Sequence, residues 1–529
     1  MAHAPLPDVP AARVSVIAPP AGAVGARTWI GFIAMSTGML LAILDIQIVA
    51  SSLPDIQAGL HIALAQLSWV QTAYLMAEIV AIPLTGWLTR VLSTRGAFLA
   101  GIAGFTLASI ACARATGFWS LVLARAAQGF CGGLLIPLVF SAIFLMFPPS
   151  ARSRATVIAG SMAMLAPTLG PTVGGFITDR FSWHWLFLIN VGPGIAVALF
   201  VAWAVAVDRA DWRGIGAVDL WALPLLAAFL AGLEVLLKEA PHRGWSDPAM
   251  LLLVASCLAC GLATLRRCLT RPRPLIDLAC CRDRNFVLGS CLSFALGVGL
   301  YGATYLLPVY LGLVRYYEAF DIGLIMMVTG AAQLAAAPLA VLLERHVDLR
   351  RLSLLGFLLL AAGLIGNGFM TAATDFWGLF WQQAARGAAV MLCLLPSTAL
   401  ALEGFAPAEV PNASGLFNLM RNLGGAIGLA LIDTIIERRA PEHVEALVRR
   451  LLAGDAAAAR FVGLPTDRFT GVPLGPIDQA TRDLVAPVVR RAGLVWAFDD
   501  AWLFIGALVL AALLLLPLIR RRPPPQQEP

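Results

Sequence analysis

The segment WIGFIAMSTGMLLAILDIQIVASSL, residues 29–53, decides the fold class of this chain. Its 25 residues contain a single ionisable side chain, the carboxyl of Asp45. A helix needs about 20 predominantly apolar residues to cross a hydrocarbon core about 30 Å thick. The segment therefore predicts a helix that spans a membrane and carries one acid within it.

Apolar stretches of this kind recur along the whole chain, whose 529 residues are 59% hydrophobic and only 13% charged. Soluble proteins have about 25% charged residues, so a soluble fold, a disordered chain and a disulfide scaffold are excluded. The sequence predicts fourteen spans, at residues 29–53, 64–88, 96–113, 117–147, 155–178, 184–206, 215–237, 248–265, 286–314, 320–343, 352–371, 375–402, 412–436 and 500–519.

Basic residues predict the orientation of these spans. Twenty arginines lie in the terminal segments and in alternate short loops. The opposite short loops contain only five basic residues, namely Arg114, Arg180, Lys238, Arg243 and Arg315. Because basic loops stay in the cytoplasm, both termini are predicted to be cytoplasmic. Topology therefore explains the net charge of +6, and no nucleic-acid partner is expected.

A weak internal repeat predicts the domain organisation. Residues 125–129 read RAAQG and residues 383–387 read QAARG, each followed by a proline eight or nine residues on. Two related halves with a substrate path between them are typical of secondary transporters. We therefore expect an all-α membrane protein of two six-helix halves, with these parts: a disordered cytoplasmic tail (1–28), the first half (29–206), two inserted helices and a loop (207–285), the second half (286–519) and a second tail (520–529).

Acids inside spans need a reason, because each costs roughly 2.5 to 3.5 kcal/mol on insertion scales. Asp45 could bind and release a proton as its exposure changes between the two sides of the membrane; the alternative is a structural carboxylate. Gln71, Tyr74 and Glu78 share one face of the second span by their spacing. Glu78 is a second candidate for proton coupling, or else pairs permanently with a base. Arg125 is the obvious buried base.

Other polar side chains inside the spans are candidates for lining a substrate cavity. Arg125 could pair with Asp45 or Glu78 in one state and release it in another, which exchanges a proton for substrate. In the first half Gln128 lies one turn along from Arg125. The second half has its own set of donors, which suit a carboxylate or carbonyl, although hydrogen bonds between helices explain them almost equally well: Gln382, Gln383, Arg386, Asn418, Arg421 and Asn422.

Two further segments stand out. The fifth span contains Gly170, Pro171, Gly174 and Gly175, a run that predicts a pivot or seal, or merely a kinked helix. Residues 437–499 form a long polar segment on the outer side, in which Val444, Leu447, Val448, Leu451 and Leu452 recur at helical spacing. This amphipathic stretch either docks a partner or lies on the protein's own outer surface or on lipid headgroups.

These motifs together resemble the major facilitator superfamily, and within it the fourteen-span drug/proton antiporters of the EmrB and QacA type. The resemblance covers residues 30–519. The most specific element, Gly170-Pro171-x-x-Gly174-Gly175, is similar to the antiporter signature of the fifth span. Further similar motifs are Leu44-Asp45-x-x-Ile-Val, Arg125-x-x-Gln128-Gly129, the run from Ser182 to Asn190 and the run from Leu419 to Gly425.

The resemblance implies a proton-coupled secondary transporter that exports hydrophobic or amphipathic drugs across the bacterial inner membrane. It implies that the protein needs no cofactor beyond the proton gradient. It also implies a periplasmic adaptor and an outer-membrane channel as possible partners. A dedicated exporter of one metabolite, lipid or siderophore is the alternative within transport. A membrane receptor or enzyme is more distant, because no catalytic constellation and no phosphate-binding loop is present.

One motif departs from the family pattern. The loop after the second span usually carries an acid, a base and a glycine that latch a cytoplasmic gate. Here the sequence from Gly86 to Arg95 has Arg90 in place of the acid and Ser93 in place of the glycine. The matching loop of the second half keeps both charges in Glu344 and Arg345. The usual gate salt bridge is therefore not expected in the first half.

Overall fold

The computed structural model describes residues 24–207, 210, 219, 221–244, 246–271, 274, 276, 278–371, 374–405, 410–474 and 479–520. Within these ranges thirteen helices are long and apolar enough to cross a membrane, and a shorter apolar helix covers Ala222–Leu237. Together they account for the fourteen predicted spans and confirm the fold class. The predicted tails fall largely on residues 1–23 and 521–529, outside the described residues.

The fourteen helices follow one another in the predicted order, with these bounds: α1 Ala26–Ser51, α2 Trp69–Thr89, α3 Val91–Ala113, α4 Phe118–Met146, α5 Pro149–Arg180, α6 Trp185–Ala204, α7 Ala222–Arg243, α8 Pro248–Thr270, α9 Arg284–Arg315, α10 Ala319–His346, α11 Leu349–Asn367, α12 Phe376–Leu402, α13 Val410–Leu452 and α14 Gln479–Ala512.

The helices pack as two groups of six, α1–α6 and α9–α14. Helix α5 lies against α10 and α2 lies against α13, and these two pairs join the halves. The inserted helices α7 and α8 pack on each other, and α7 also contacts α13 and α2. The hydroxyl of Thr434 in α13 donates to the carbonyl of Leu237, at 3.1 Å. The insertion therefore lies beside the second half's penultimate helix.

Residues 437–499 differ most from the sequence prediction. Helix α13 continues as far as Leu452 and α14 begins at Gln479, so both helices extend well past the predicted spans 412–436 and 500–519. A short helix, Ala456–Val462, lies between them. We call residues 437–499 the hairpin, and the end of the bundle that carries it the hairpin side.

The apolar stripe predicted between residues 444 and 452 is covered by the hairpin itself. Leu447 and Leu451 are buried in a small apolar cluster made with the hairpin residues Ala458, Ala459, Val462, Val489 and Ala492. The interpretation of these two leucines as an exposed docking face is therefore wrong. The physical reason is that the start of α14, forty residues later in the chain, packs back against the end of α13. Val448 and Leu452 remain partly exposed.

Candidate functional site

The first half places Asp45 at the centre of a buried polar network. The Asp45 carboxylate is fully buried and forms an ion pair with Arg125 of α4. Its Oδ1 accepts hydrogen bonds from the side-chain amides of Gln128, at 2.8 Å, and Asn190, at 2.7 Å. The sequence left Arg125 open to pairing with Asp45 or with Glu78, whereas the structure gives Asp45 three partners from α4 and α6. Asn190 was part of a quoted motif, but its contact with Asp45 was not predicted.

Arg125 also contacts α2 and a second residue of its own helix. Its Nε donates to the carbonyl of Val70 in α2, at 3.0 Å, and its Nη1 also donates to Gln128, at 2.8 Å. The guanidinium lies over the ring of Tyr74, 4.6 Å from the ring centre, and the Tyr74 hydroxyl donates to the carbonyl of Ala42. Breaking a buried ion pair by removing one partner costs about 3 to 5 kcal/mol. The Asp45 charge is therefore fully compensated in this conformation.

Glu78 lies apart from this network, at the contact between the halves. The side chain of Asn422 in α13 hydrogen-bonds its carboxylate, and Arg421 lies near enough to act on it electrostatically. Asn422 in turn accepts a hydrogen bond from the Tyr301 hydroxyl, at 3.1 Å. Arg125 is thus the partner of Asp45 and not of Glu78. Gln71 is buried on the same helix.

The glycine-proline run of α5 forms a close contact with two helices. A Cβ at Gly170 or Gly174 would overlap α1 at Gln47 and Ile48. A Cβ at Gly175 would overlap the backbone of Ala319 at the start of α10, in the other half. Pro171 belongs to the same contact, because a Cβ at Gly323 of α10 would overlap its carbonyl. The run therefore packs α5 closely against α1 of its own half and, at Gly175 and Pro171, against α10 of the other half.

Hydrogen bonds reinforce this contact between α5 and α10 on the hairpin side. The carboxylate of Asp179, near the end of α5, accepts the backbone N–H groups of Ala319 and Phe320, at 3.1 and 2.9 Å. A second link joins Ser68, just before α2, to Asp433 of α13. Within the described ranges, the hydrogen bonds between the halves run from the middle of the bundle to the hairpin side, so this end is the closed one.

A cavity lies between the halves near the middle of the bundle. Among its lining residues are Gln47 of α1, Pro167 and Pro171 of α5, and Arg386 of α12. Its open space of about 30 Å³ has room for a few water molecules, whereas a drug-sized ligand needs about 300 to 1,000 Å³. The conformation is therefore contracted at this point.

Arg386 alone among the predicted cavity residues lines this space. Gln383 accepts a hydrogen bond from Arg386 Nη1, at 2.5 Å. Gln382 packs against Gly366 of α11, and Asn418 donates to the carbonyl of Ser414 one turn before it. Tyr74, Gln128, Arg421 and Asn422 belong to the networks described above. The sequence identified polar residues inside the spans. The packing of the helices then determines which of them lie near Asp45, which lie near Glu78 and which lie near Arg386.

A family model described as the Major Facilitator Superfamily matches residues 35–429. The chain belongs to this superfamily. Relatives show which branch it resembles. The Colistin resistance protein EmrB of Acinetobacter baumannii is 40% identical over 417 residues, covering 79% of this chain and 81% of that protein. The Multidrug export protein EmrB of Escherichia coli is 31% identical over 498 residues, covering 92% and 95%.

More distant proteins share the fold. The Fatty acid resistance protein FarB of Neisseria gonorrhoeae is 29% identical over 420 residues, covering 79% of this chain and 82% of that protein. The D-xylose-proton symporter structure superimposes with a TM-score of 0.59 at 15% identity, over 84% and 99% of the two chains. An inward-facing bacterial homolog of the human lysosomal transporter Spinster has a TM-score of 0.58 at 16% identity, covering 95% of this chain and 100% of that chain. The two structures show the fold alone.

The superfamily gate motif adopts an unusual backbone in this chain. Ser93, which stands where the family has glycine, interrupts the helix in the first turn of α3 with φ 69° and ψ 162°. Only glycine adopts this region without strain. Gly86 faces open space and Arg95 is exposed. Glu344 is half-buried, while the side chains of Arg90 and Arg345 lie outside the described part of the chain.

Two buried intramembrane acids of this superfamily member were not identified from the sequence. Asp433 of α13 accepts hydrogen bonds from Ser68 and from the Tyr305 hydroxyl, the latter at 2.8 Å. Glu234 of α7 is also buried. The rule that singled out Asp45 and Glu78, an acid inside an apolar span, applies equally to both. Asp433 lay near the end of its predicted span, where it read as part of the polar segment that follows.

Proposed function

We propose that this chain is a proton-coupled multidrug exporter of the bacterial inner membrane, with no cofactor beyond the proton gradient. It carries hydrophobic and amphipathic compounds outward in exchange for inward-moving protons, and it is not an enzyme. The names of the EmrB relatives support the drug-export part of this proposal. The single observation that supports the coupling part is the buried Asp45–Arg125 pair.

The mechanism follows from the contacts of that pair. While Arg125 holds Asp45, the carboxylate keeps its charge and has no reason to take a proton. When α1 and α4 move apart within the first half and Arg125 separates from Asp45, burial makes the charged form unfavourable, and Asp45 binds a proton. Return to the paired arrangement expels the proton. If each arrangement faces a different side of the membrane, one cycle carries one proton across.

The energy of this exchange is sufficient for export. A proton that enters down the membrane potential yields about 2.3 kcal/mol per 100 mV. This free energy supports roughly a fiftyfold substrate gradient per proton, before any pH difference is added. The seal made by α5 and the hydrogen bonds of Asp179 support a cycle in which the hairpin side closes while the opposite side loads substrate.

A transport assay tests the proposal. Inverted membrane vesicles that contain the protein are given an imposed pH gradient and a panel of dyes and drugs. We expect uptake of several chemically unrelated hydrophobic compounds, abolished when nigericin collapses the pH gradient. Vesicles without the protein are the control. If only one of the compounds is taken up, the protein is a dedicated exporter. Uptake that persists without the pH gradient contradicts proton coupling.

We propose further that both termini are cytoplasmic and that the hairpin is periplasmic, as the arginine distribution indicates. Ala457 is exposed on the short hairpin helix, so Ala457→Cys in a variant without the nine native cysteines reports its side. A membrane-impermeant maleimide should label this cysteine in cells whose inner membrane is intact. Labelling only after the inner membrane is opened contradicts the orientation.

We also propose that the hairpin contacts a periplasmic adaptor that leads to an outer-membrane channel. Leu484 and Val488 lie one turn apart on α14, and both are exposed, unlike Leu447 and Leu451. Replacing both with serine should lower the drug resistance of intact cells and the amount of co-purified adaptor. Uptake by inverted vesicles, which need no adaptor, should stay at the wild-type rate. Unchanged resistance of intact cells contradicts this proposal.

A further inference from the structure

Three carboxyl groups meet where the two halves touch on the hairpin side, a contact that we call the seam. Two of them belong to the first half: Asp55, on the short helix Leu53–Leu60 that follows α1, and Asp179, near the end of α5. The third is Glu318, the residue before α10. Asp179 and Glu318 lie near enough to Asp55 to act on it electrostatically. The closed seam therefore brings acids of both halves together.

The short helix is fixed against both halves. The hydroxyl of Ser52, its N-cap residue, forms a hydrogen bond of 2.7 Å with the hydroxyl of Thr178 in α5. Pro54 packs on α9 of the second half, because a Cβ at Gly312 would overlap the Pro54 ring. Asp55 follows Pro54 in the chain and is half-buried in this contact. Its carboxyl must therefore lose part of its water when the halves close.

Asp55 has fewer hydrogen-bond donors than Asp179. Both carboxylate oxygens of Asp179 accept backbone N–H groups at the start of α10. Here the positive end of the helix dipole also favours a negative charge. Asp55, by contrast, has its own backbone N–H as its one hydrogen-bond donor within the described residues. Asp55 is therefore the acid of the seam whose negative charge is least compensated.

No basic group pairs with Asp55. The remaining titratable residues of the short helix, the end of α5 and the turn between α9 and α10 are His61, Arg180, His184, Arg315, Tyr316, Tyr317 and Asp321. In the part of the chain that the structure describes, none of the basic ones forms an ion pair with Asp55. The charges that act on Asp55 are those of Asp179 and Glu318, and both disfavour its ionised form.

Closure of the seam and proton binding at Asp55 are linked. Burial raises the pKa of Asp55, which lies outside the spans, and the carboxylates of Asp179 and Glu318 raise it further. When the halves separate, water surrounds Asp55 and Glu318 moves away, so the pKa of Asp55 returns towards its ordinary value. A proton on Asp55 therefore favours the closed seam. This contribution is complete below the ordinary pKa and is lost as the pH rises through the pKa of the closed seam.

We propose that Asp55 is a pH-sensitive switch of the seam: a proton taken up from the hairpin side stabilises the closed contact between the halves. The inference rests on the proposed function, in which the hairpin side is periplasmic. After substrate has left on that side, a periplasmic proton binds Asp55 and the seam closes. The proton returns to the same side when the seam opens again. Asp55 thus adjusts the cycle to the outside pH, whereas Asp45 carries the proton across.

The test measures the distance across the seam in the purified protein. Ala58 on the short helix and Ala457 in the hairpin are both exposed. Nitroxide labels on Ala58→Cys and Ala457→Cys, in a variant without the native cysteines, report closure as a short distance by double electron–electron resonance. From about pH 8 to about pH 5 we expect the ratio of closed to open molecules to rise about threefold or more, since one pKa unit corresponds to tenfold.

Asp55→Asn should remove this pH response. Asparagine resembles the uncharged carboxyl, so the closed population should already be high at about pH 8. Asp321→Asn is the matched control, because Asp321 is an exposed acid in the first turn of α10 and is not among the groups that act on Asp55. It should keep the wild-type response. The three proteins are compared again with Asp45→Asn added, so that Asp45 does not titrate.

A wild type whose distances do not change with pH overturns the switch. An Asp55→Asn variant that keeps the full pH response, with or without Asp45→Asn, overturns it as well. The measurement needs neither substrate nor a pH gradient, so its outcome is separate from the proposed function. If Asp55→Asn loses the response but no pH gradient drives export, the proposed function fails while the switch stands. If pH-driven export occurs and Asp55→Asn keeps the response, only the switch fails.

Discussion

At the scale of single residues, the central observation is that the Asp45 charge is met by groups from two other helices. Arg125 supplies the counter-ion, and Gln128 and Asn190 supply hydrogen bonds. In the proposed function, a carboxylate held in this way releases its proton and takes one up only when the arginine moves away. That proposal ties proton exchange to the relative motion of α1 and α4.

The sequence predicted which residues are unusual, but not how they pair. An acid or a base inside an apolar span stands out in any sequence, and Asp45, Glu78 and Arg125 were found in this way. Periodicity places a residue on one face of its own helix, but it does not tell which neighbour that face meets. Arg125 was for this reason open to either acid, and Glu78 proved to face Asn422 of the other half.

Glu78→Gln should weaken transport less than the loss of Asp45. Glutamine keeps a hydrogen bond to Asn422 and removes only the negative charge that interacts electrostatically with Arg421. We expect the initial rate of pH-driven uptake to fall by about tenfold or less, which corresponds to about 1.4 kcal/mol. Uptake in vesicles at equal protein content measures it. A complete loss of coupling would make Glu78, not Asp45, the proton-binding acid.

Ser93→Gly should stabilise the folded protein. Ser93 adopts a backbone conformation that is essentially reserved for glycine and costs about 1 to 3 kcal/mol. Its hydroxyl accepts the N–H of Gly96 at 3.1 Å, but losing such a cap to glycine costs only a few tenths of a kcal/mol. Thermal unfolding in detergent should therefore occur at a higher temperature than in the wild type. A lower unfolding temperature contradicts the strain at this position.

At the scale of helices, the contact of α5 with α10 depends on residues without side chains. Gly175→Ala places a Cβ onto the backbone of Ala319, so the halves can no longer approach on the hairpin side. We expect pH-driven uptake to be lost while the protein remains in the membrane. Gly160→Ala is the matched control, because a Cβ at Gly160 of the same helix meets open space. Equal uptake by the two variants contradicts the proposed seal.

The hairpin should be part of the protein's own fold. Leu447 is fully buried in its apolar cluster, whereas Leu484 is 77% exposed on the adjacent helix. Shortening a buried leucine costs about 2 to 5 kcal/mol, so Leu447→Ser should lower the thermal stability clearly. Leu484→Ser should leave thermal stability and vesicle uptake unchanged. Two variants of equal stability would mean that the hairpin does not pack as described.

Helix ends were harder to predict than helices. The length of each apolar stretch identified every span, because a single chain segment in lipid makes all its backbone hydrogen bonds by forming a helix. The C-terminal end of α13 and the start of α14 are polar, so hydropathy does not predict that the helices continue there. Both helices continue because the apolar stripe of one is covered by the other, a contact between segments about forty residues apart.

At the scale of the whole molecule, the halves share an architecture and differ in the partners of their buried arginines. In the first half Arg125 is paired with Asp45. In the second half Arg386 lines the cavity between the halves, and Gln383 is its hydrogen-bond partner within the described residues. The sequence repeat predicted the two halves and the insertion between them, but which arginine has an acidic partner is visible only once α1 and α4 are packed together.

The most direct test of this account compares two modes of transport in proteoliposomes that contain wild type or Asp45→Asn. In the first mode a pH gradient drives substrate against its own gradient; in the second, labelled substrate exchanges with unlabelled substrate at equal pH. Asparagine keeps the shape of the side chain and cannot carry a proton. The account predicts that Asp45→Asn loses accumulation entirely and retains exchange. Accumulation by Asp45→Asn at the wild-type level would contradict it.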